Sequence, residues 1–281
     1  MEALSPSFLV RHEFLIRRLH SLTGLVPVGA FLVFHLATNA SVLDGPAAFQ
    51  HNVYQIDSLG SLLPVVEWVF IFLPILFHAV IGVVIVAGAL PNQNEYRYAA
   101  NWRYTLQRWT GMIAFLFIMW HVFQMNGWFH FELWIREVAK PFGGAEFDPY
   151  AAASSAGLVL QSPVVAILYA IGILACVYHL ANGIWTMGIT WGVWSTPRSQ
   201  NWALKVCFGF GLVLAFVGLG ALWGMWDVGH GEKLQDAIAI EKQMYEHRLE
   251  SREIKPQDGK RGTPKSGDKD QVARNNRKPD R

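Results

Sequence analysis

The sequence predicts an all-α integral membrane protein with five transmembrane helices. Three observations predict it. Five apolar runs reach the roughly 20 residues that a bilayer's hydrocarbon core requires. Of the 281 residues, 52% are hydrophobic and only 16% charged, a low charge fraction for a soluble domain. The charges are also segregated. Residues 1–226 carry ten Lys/Arg and ten Asp/Glu, whereas the last 55 carry thirteen and eleven. The chain therefore divides into an N-terminal segment (1–19), a membrane domain (20–226) and a charged tail (227–281).

The first run, near 20–42, follows Arg11, Arg17 and Arg18. It is too long for the apolar part of a signal peptide and has no clear cleavage site. The second lies near 64–90, with Pro64 in its first turn and Pro74 inside it, a position that membrane helices tolerate. The third lies near 106–128. The fourth, near 162–190, opens on Pro163. The fifth, near 202–226, is almost featureless. Residues 231–250 suit a polar helix, and 255–281 read as disordered because they have too few apolar groups to form a core. Cys176 and Cys207 both lie in apolar runs and form neither a disulfide framework nor a CxxC metal site. A net charge of +2 gives no ground for nucleic-acid binding.

Basic residues set the orientation. Arg11, Arg17, Arg18, Arg97, Arg103, Arg108, Arg198 and Lys205 fall on the N-terminal side of the alternating spans; Arg136 and Lys140 fall on the other. The positive-inside rule then puts the N-terminus in the cytoplasm and, after five spans, the C-terminus outside. Trp102, Trp109, Trp128, Trp191, Trp194 and Trp226 sit at span ends, as interfacial aromatics do.

Each of the first four spans contains one deep histidine: His35, His78, His121 and His179. Ionisable residues inside a span are costly and usually functional. His35 lies 17 residues after Arg18, His78 after Ser61, His121 after Tyr104 and His179 after Ser162. Each is thus about 26 Å into its helix. Because the spans alternate in direction, His35 meets His121 near the outer side and His78 meets His179 near the inner side, at levels roughly 15 Å apart. Two facing imidazoles fill both axial positions of a haem iron and suit it to electron transfer. Without CxxCH, such haems are b-type and non-covalent. The first four helices therefore form a haem-binding bundle for two haems b, with His35 and His121 on the outer iron and His78 and His179 on the inner. Gly24 lies 11 residues before His35, and Gly82 and Gly183 lie four after their histidines. Each shares its histidine's face and lets a flat macrocycle approach the backbone; close helix packing is the alternative. Arg18, His20, Ser21, Arg108 and Arg198 lie near the inner interface as candidate partners for haem propionates, or simply as topology-setting residues.

RRLHSLTGLVPVGAFLVFHLATN, NVYQIDSLG, FLPILFHAVIG, LQRWTGMIAFLFIMWHV and YHLANGIWTMGITWGVWSTPRSQ resemble, in order, the cytochrome b558 subunit of succinate dehydrogenase, in its di-haem, five-helix, menaquinone-linked form. The resemblance covers about residues 11–226. It implies a cytoplasmic flavoprotein subunit and iron–sulfur subunit as partners, in the cytoplasmic membrane of a bacterium. It also implies electron flow through the inner and then the outer haem to a quinone, and a functional carboxylate matching Asp57. Succinate itself would bind the partners. His51 lies in the same outer loop as Asp57 and is a further candidate to hydrogen-bond the quinone or supply its protons. Glu67, 11 residues before His78 and on its face, is an intramembrane carboxylate able to line the quinone pocket or relay protons. Fumarate reductase, the same machine run backwards, has an anchor of the same kind, and a haem-b anchor of another dehydrogenase is a further reading. A proton-relaying transporter would carry the histidines without haem. A bc-type cytochrome b would place two histidines on one helix.

Overall fold

The computed structural model describes residues 11–88 and 98–256. Arg97 and residues 257–281, most of the stretch expected to be disordered, lie outside the described residues. Among the described residues every regular element is helical: α1 (Glu13–Leu25), α2 (Val28–Ala40), α3 (Pro46–Asp57), α4 (Leu63–Glu67), α5 (Leu73–Ala87), α6 (Ala99–Asn126), α7 (Ala152–Leu160), α8 (Pro163–Thr190), α9 (Pro197–Val228) and α10 (Gly231–Glu250).

Among the described residues four stretches are long and apolar enough to cross a bilayer: Glu13–Asp44, Gly60–Ala87, Pro163–Thr190 and Pro197–Val228. The first comprises α1 and α2, broken before Pro27, where Val26 is extended as residues before proline tend to be. The second joins α4 to α5 through a π-helical turn at Trp68–Phe72. The expected third span, α6, has the length, 28 residues. Arg103, Gln107 and Arg108 near its start and His121, Gln124 and Asn126 near its end dilute its apolarity.

α8 is central and packs on α6, α9 and α1, while α9 packs on α2 and α7, and α1 on α5. In its most apolar window the second span buries no residue, against 39% for α8. Phe216 is 81% exposed and Phe34 73%. Lipid, rather than water, covers open apolar surfaces of this kind. We call the end that carries Arg17, Arg18, Arg103 and Arg198 the basic end, and the opposite one the capped end.

At the capped end α3, α7 and α10 close over the bundle. Their core is Phe49 and Val53 of α3, Ala152, Ala153 and Ala156 of α7, Met225 and Val228 of α9, and Ala237 of α10. The stretch holding His51 and Asp57, expected as a loop, is helical. Gly45 turns the chain at φ +106°, where glycine is favoured, and Pro46 occupies the first turn of α3. The polar helix expected at 231–250 is α10, and it docks through Glu241. That carboxylate, 2% exposed, accepts from the backbone N–H of Ala153 (2.6 Å) and Ser154 (3.2 Å) and from the Ser154 hydroxyl (2.5 Å). It caps α7, whose own N-cap, Ala151, has no side chain to do so. Burial pushes the carboxyl above the usual carboxylate range, and these three donors pull it back.

Glu241→Ala leaves buried donors unmatched. It is expected to cost about 2–4 kcal/mol and to open the α10 segment to proteolysis in the detergent-solubilised protein. Wild-type protease resistance would show that α10 is held by other contacts.

Candidate functional site

The four span histidines meet in two pairs. The rings of His35 and His121 have centroids 5.8 Å apart at 73°, and those of His78 and His179 lie 6.0 Å apart at 84°. Each pair joins alternate helices of the bundle: α2 with α6, and α5 with α8. Among the described residues no cluster of three or more His, Cys, Asp or Glu is placed to hold a metal. The arrangement is therefore two separate two-imidazole sites, unlike a zinc centre with its three or four protein ligands.

Hydrogen bonds decide which nitrogen each ring presents. His78 Nδ1 lies 2.8 Å from the His20 carbonyl, and His179 Nδ1 lies 3.0 Å from the Gln107 carbonyl. A carbonyl only accepts, so both Nδ1 atoms carry the proton and both Nε2 atoms keep a free lone pair. Tyr169 donates its single hydroxyl proton to Gln124 (2.9 Å), so its oxygen accepts from His121 Nδ1 at 3.2 Å. His121 thus has the same tautomer. A second bond that fixes the ring of a ligating histidine is the usual support of a metal site. His35 differs: its Nε2 lies a long 3.4 Å from the Asn39 amide, whose firmer bond is to the His35 carbonyl at 2.7 Å.

Gln107 also donates to the His179 carbonyl (3.0 Å) and accepts from Asn182 (2.8 Å), which locks α6 to α8 beside the inner pair. Two glycines make room for the rings. A Cβ on Gly24 would lie 2.3 Å from His78, and one on Gly111 2.8 Å from His179. Sequence reasoning placed Gly24 on the His35 face; the break at Pro27 turns it to His78 instead. Gly82 faces His20, and Gly183 faces Gln107 rather than its own histidine. Gly111, Gln107, Tyr169 and Asn182 were missed. The available signal was Gly111 standing ten residues before His121, much as Gly24 stands eleven before His35.

At the basic end His20 stacks on His78 at 4.1 Å and 11°. Ser21 accepts from the Trp191 indole (3.0 Å), and Arg18 lies 5.2 Å from the same residue's ring. Arg108 is engaged by the Tyr104 hydroxyl. Arg198 lines a different cavity, of about 750 Å³, with Trp194, Ser199 and Trp202 between α8 and α9. Three buried polar atoms here have no hydrogen-bond partner among the described residues: His20 Nδ1, Arg103 Nε and the Tyr178 hydroxyl. The Arg103 guanidinium lies 4.7 Å over Trp185.

At the capped end the expected quinone residues separate. Asp57 accepts from the Tyr150 hydroxyl at 2.8 Å, within a cluster of Tyr54, Tyr150 and Tyr245. Burial, then the bond to Asp57 and its charge, push the Tyr150 hydroxyl well above its usual range, which keeps it a donor. Asp57 is the last residue of α3. His51 pairs with Gln55 at 3.0 Å on the exposed side of α3. Glu67 is half-buried and within electrostatic reach of exposed His130. The π turn inserts an extra residue between Glu67 and His78. The eleven-residue spacing therefore no longer keeps Glu67 on the His78 face, contrary to the helical count.

No family model matches the chain. It is 38% identical, over 212 residues, to the succinate dehydrogenase cytochrome b558 subunit of Bacillus subtilis (strain 168), covering 75% of this chain and 96% of that protein. On that identity and coverage, with helices built to cross a membrane and histidines paired between them, the chain belongs to the succinate dehydrogenase cytochrome b558 subunit family.

Proposed function

We propose that the chain is the membrane anchor of a bacterial succinate dehydrogenase, holding two haems b between an iron–sulfur partner and a menaquinone. The observation that carries this reading is the pair of facing imidazole couples, three of whose four rings have Nδ1 engaged and Nε2 free. The residues present fit the group. Ring separations of 5.8 and 6.0 Å leave space for a single metal ion between two imidazoles. Gly24 and Gly111 bring backbone flush with the rings of the inner pair. The unpartnered His20 Nδ1, Arg103 Nε and Tyr178 hydroxyl, with Arg18 and Ser21, offer donors to carboxylates at the basic end. Bound there, the haems supply one-electron transfer from the cytoplasmic partner to the quinone.

The chain's own residues do the rest. His35 and His121 hold the outer iron; His78 and His179 hold the inner. Gln107, His20 and Tyr169 keep three of those rings in the ligating tautomer. α6 crosses as the third of five spans. The basic end faces the cytoplasm and the flavoprotein and iron–sulfur subunits, and the capped end with α10 faces outward. The bundle occupies 20–226, with 1–19 and 227–281 as flanking segments. Glu67, beside His130, and His51, on the open side of α3, are the groups that bring protons to the quinone end. Asp57 holds the cap through Tyr150.

Glu67→Gln is expected to slow quinone reduction about a hundredfold or more, the lower range for loss of a proton-transfer group, with haem content intact. Asp57→Asn is expected to leave quinone reduction within about threefold and to cost about 1 kcal/mol of stability. The reverse order of effects would return the proton role to Asp57.

A further inference from the structure

α3 has two faces. Phe49, Gln50, Val53, Tyr54 and Asp57 point into the cap. Asn52, Gln55 and Ile56 form the opposite stripe, which Leu59 extends just beyond the helix end. That stripe and Ala37 and Thr38 of α2 line a groove of about 440 Å³, within the usual range for small-molecule sites. Thr38 lies three residues beyond His35 on the same helix, about 4.5 Å along its axis. The groove is thus next to the outer imidazole pair.

Its chemistry is specific. Two amides and one hydroxyl converge on an otherwise apolar slot. Among the described residues the lining contains no ionisable side chain, so it suits a neutral ligand. Ile56 and Leu59 are 45% and 44% exposed and form an apolar lip, open to a molecule arriving from lipid. His51 lies outside the slot and holds the Gln55 amide.

We propose that this groove binds the quinone head group, with Asn52, Gln55 and Thr38 hydrogen-bonding its carbonyl oxygens and Ile56 and Leu59 covering the ring. The proposal rests on the quinone-reducing reading above and gives that reading a site. It also places the site on the opposite side of α3 from Asp57.

The test uses the whole complex in membranes. A naphthoquinone bearing an aryl azide is photolysed in place and the labelled peptides are identified. Label within residues 37–38 and 52–59, competed by menaquinone, is expected. Asn52→Leu with Gln55→Leu should raise the quinone KM about tenfold or more, the loss of one to two hydrogen bonds, while the haem spectrum persists. Label confined to other segments, or an unchanged KM in the double variant with haem present, overturns the site. Absence of haem from the wild-type complex would instead overturn the reading on which it rests.

Discussion

Replacing His179 with leucine is expected to lower the haem b content from two per chain to one and to leave the outer site filled. His179 and His78 face each other across 6.0 Å, and each supplies one imidazole. A bis-imidazole site that loses one ligand keeps only a single protein bond to the metal. Leucine fills much of the space without a lone pair. It also forfeits the bond to the Gln107 backbone carbonyl, a loss of about 1 kcal/mol, while that carbonyl keeps the Thr110 hydroxyl as a donor. The outer pair is built from α2 and α6, with its own support from Tyr169 and Gln124, so it should survive. His121→Leu is the mirror experiment and should spare the inner haem. A reduced-minus-oxidised spectrum and a redox titration of each variant read the outcome. One component should vanish in each, and a different one in the two cases. Loss of the same component in both would mean that the pairing is wrong.

A methyl group at Gly24 or Gly111 is the second change with a large expected effect. The added carbon would lie 2.3 Å from the His78 ring or 2.8 Å from the His179 ring, closer than carbon atoms approach. The ring has to move, and with it the line between the two imidazoles. Overpacking of this kind costs about 1–3 kcal/mol, and the misaligned ligand adds to the loss. Both alanine variants are expected to assemble with little or no inner haem and a full outer one. Gly82→Ala and Gly183→Ala form the control, since their added carbons meet neighbours only at 3.3 and 3.4 Å and should retain both haems. Equal haem content in all four variants would show that the rings do not depend on these glycines.

The histidine pairs were readable because depth in a membrane helix is a residue count. Seventeen residues from each span's start, combined with alternating direction, put His35 beside His121 and His78 beside His179, and the rings lie together. The cap was not readable. Gln50 reaches Pro149 and Ala152, and Glu241 reaches Ala153 and Ser154; no local period encodes such distant partners. Glu67 was misplaced by the π turn, since a 3.6-residue count assumes an unbroken helix. Gly24 was assigned to the wrong histidine because the residue count ran straight through Pro27, where the helix breaks. α6 shows the limit of hydropathy: the side chains that hold the site, His121, Gln107 and Gln124, are those that make it less apolar than its neighbours.

The central claim is that this one chain holds two haems b between its four histidines. The most direct measurement is the molar ratio of extractable haem b to chain in the purified complex, with haem on any other subunit excluded by separating the subunits. The account predicts two, with all four single histidine-to-leucine variants reduced to one. A ratio of one or none in the wild-type protein would contradict it.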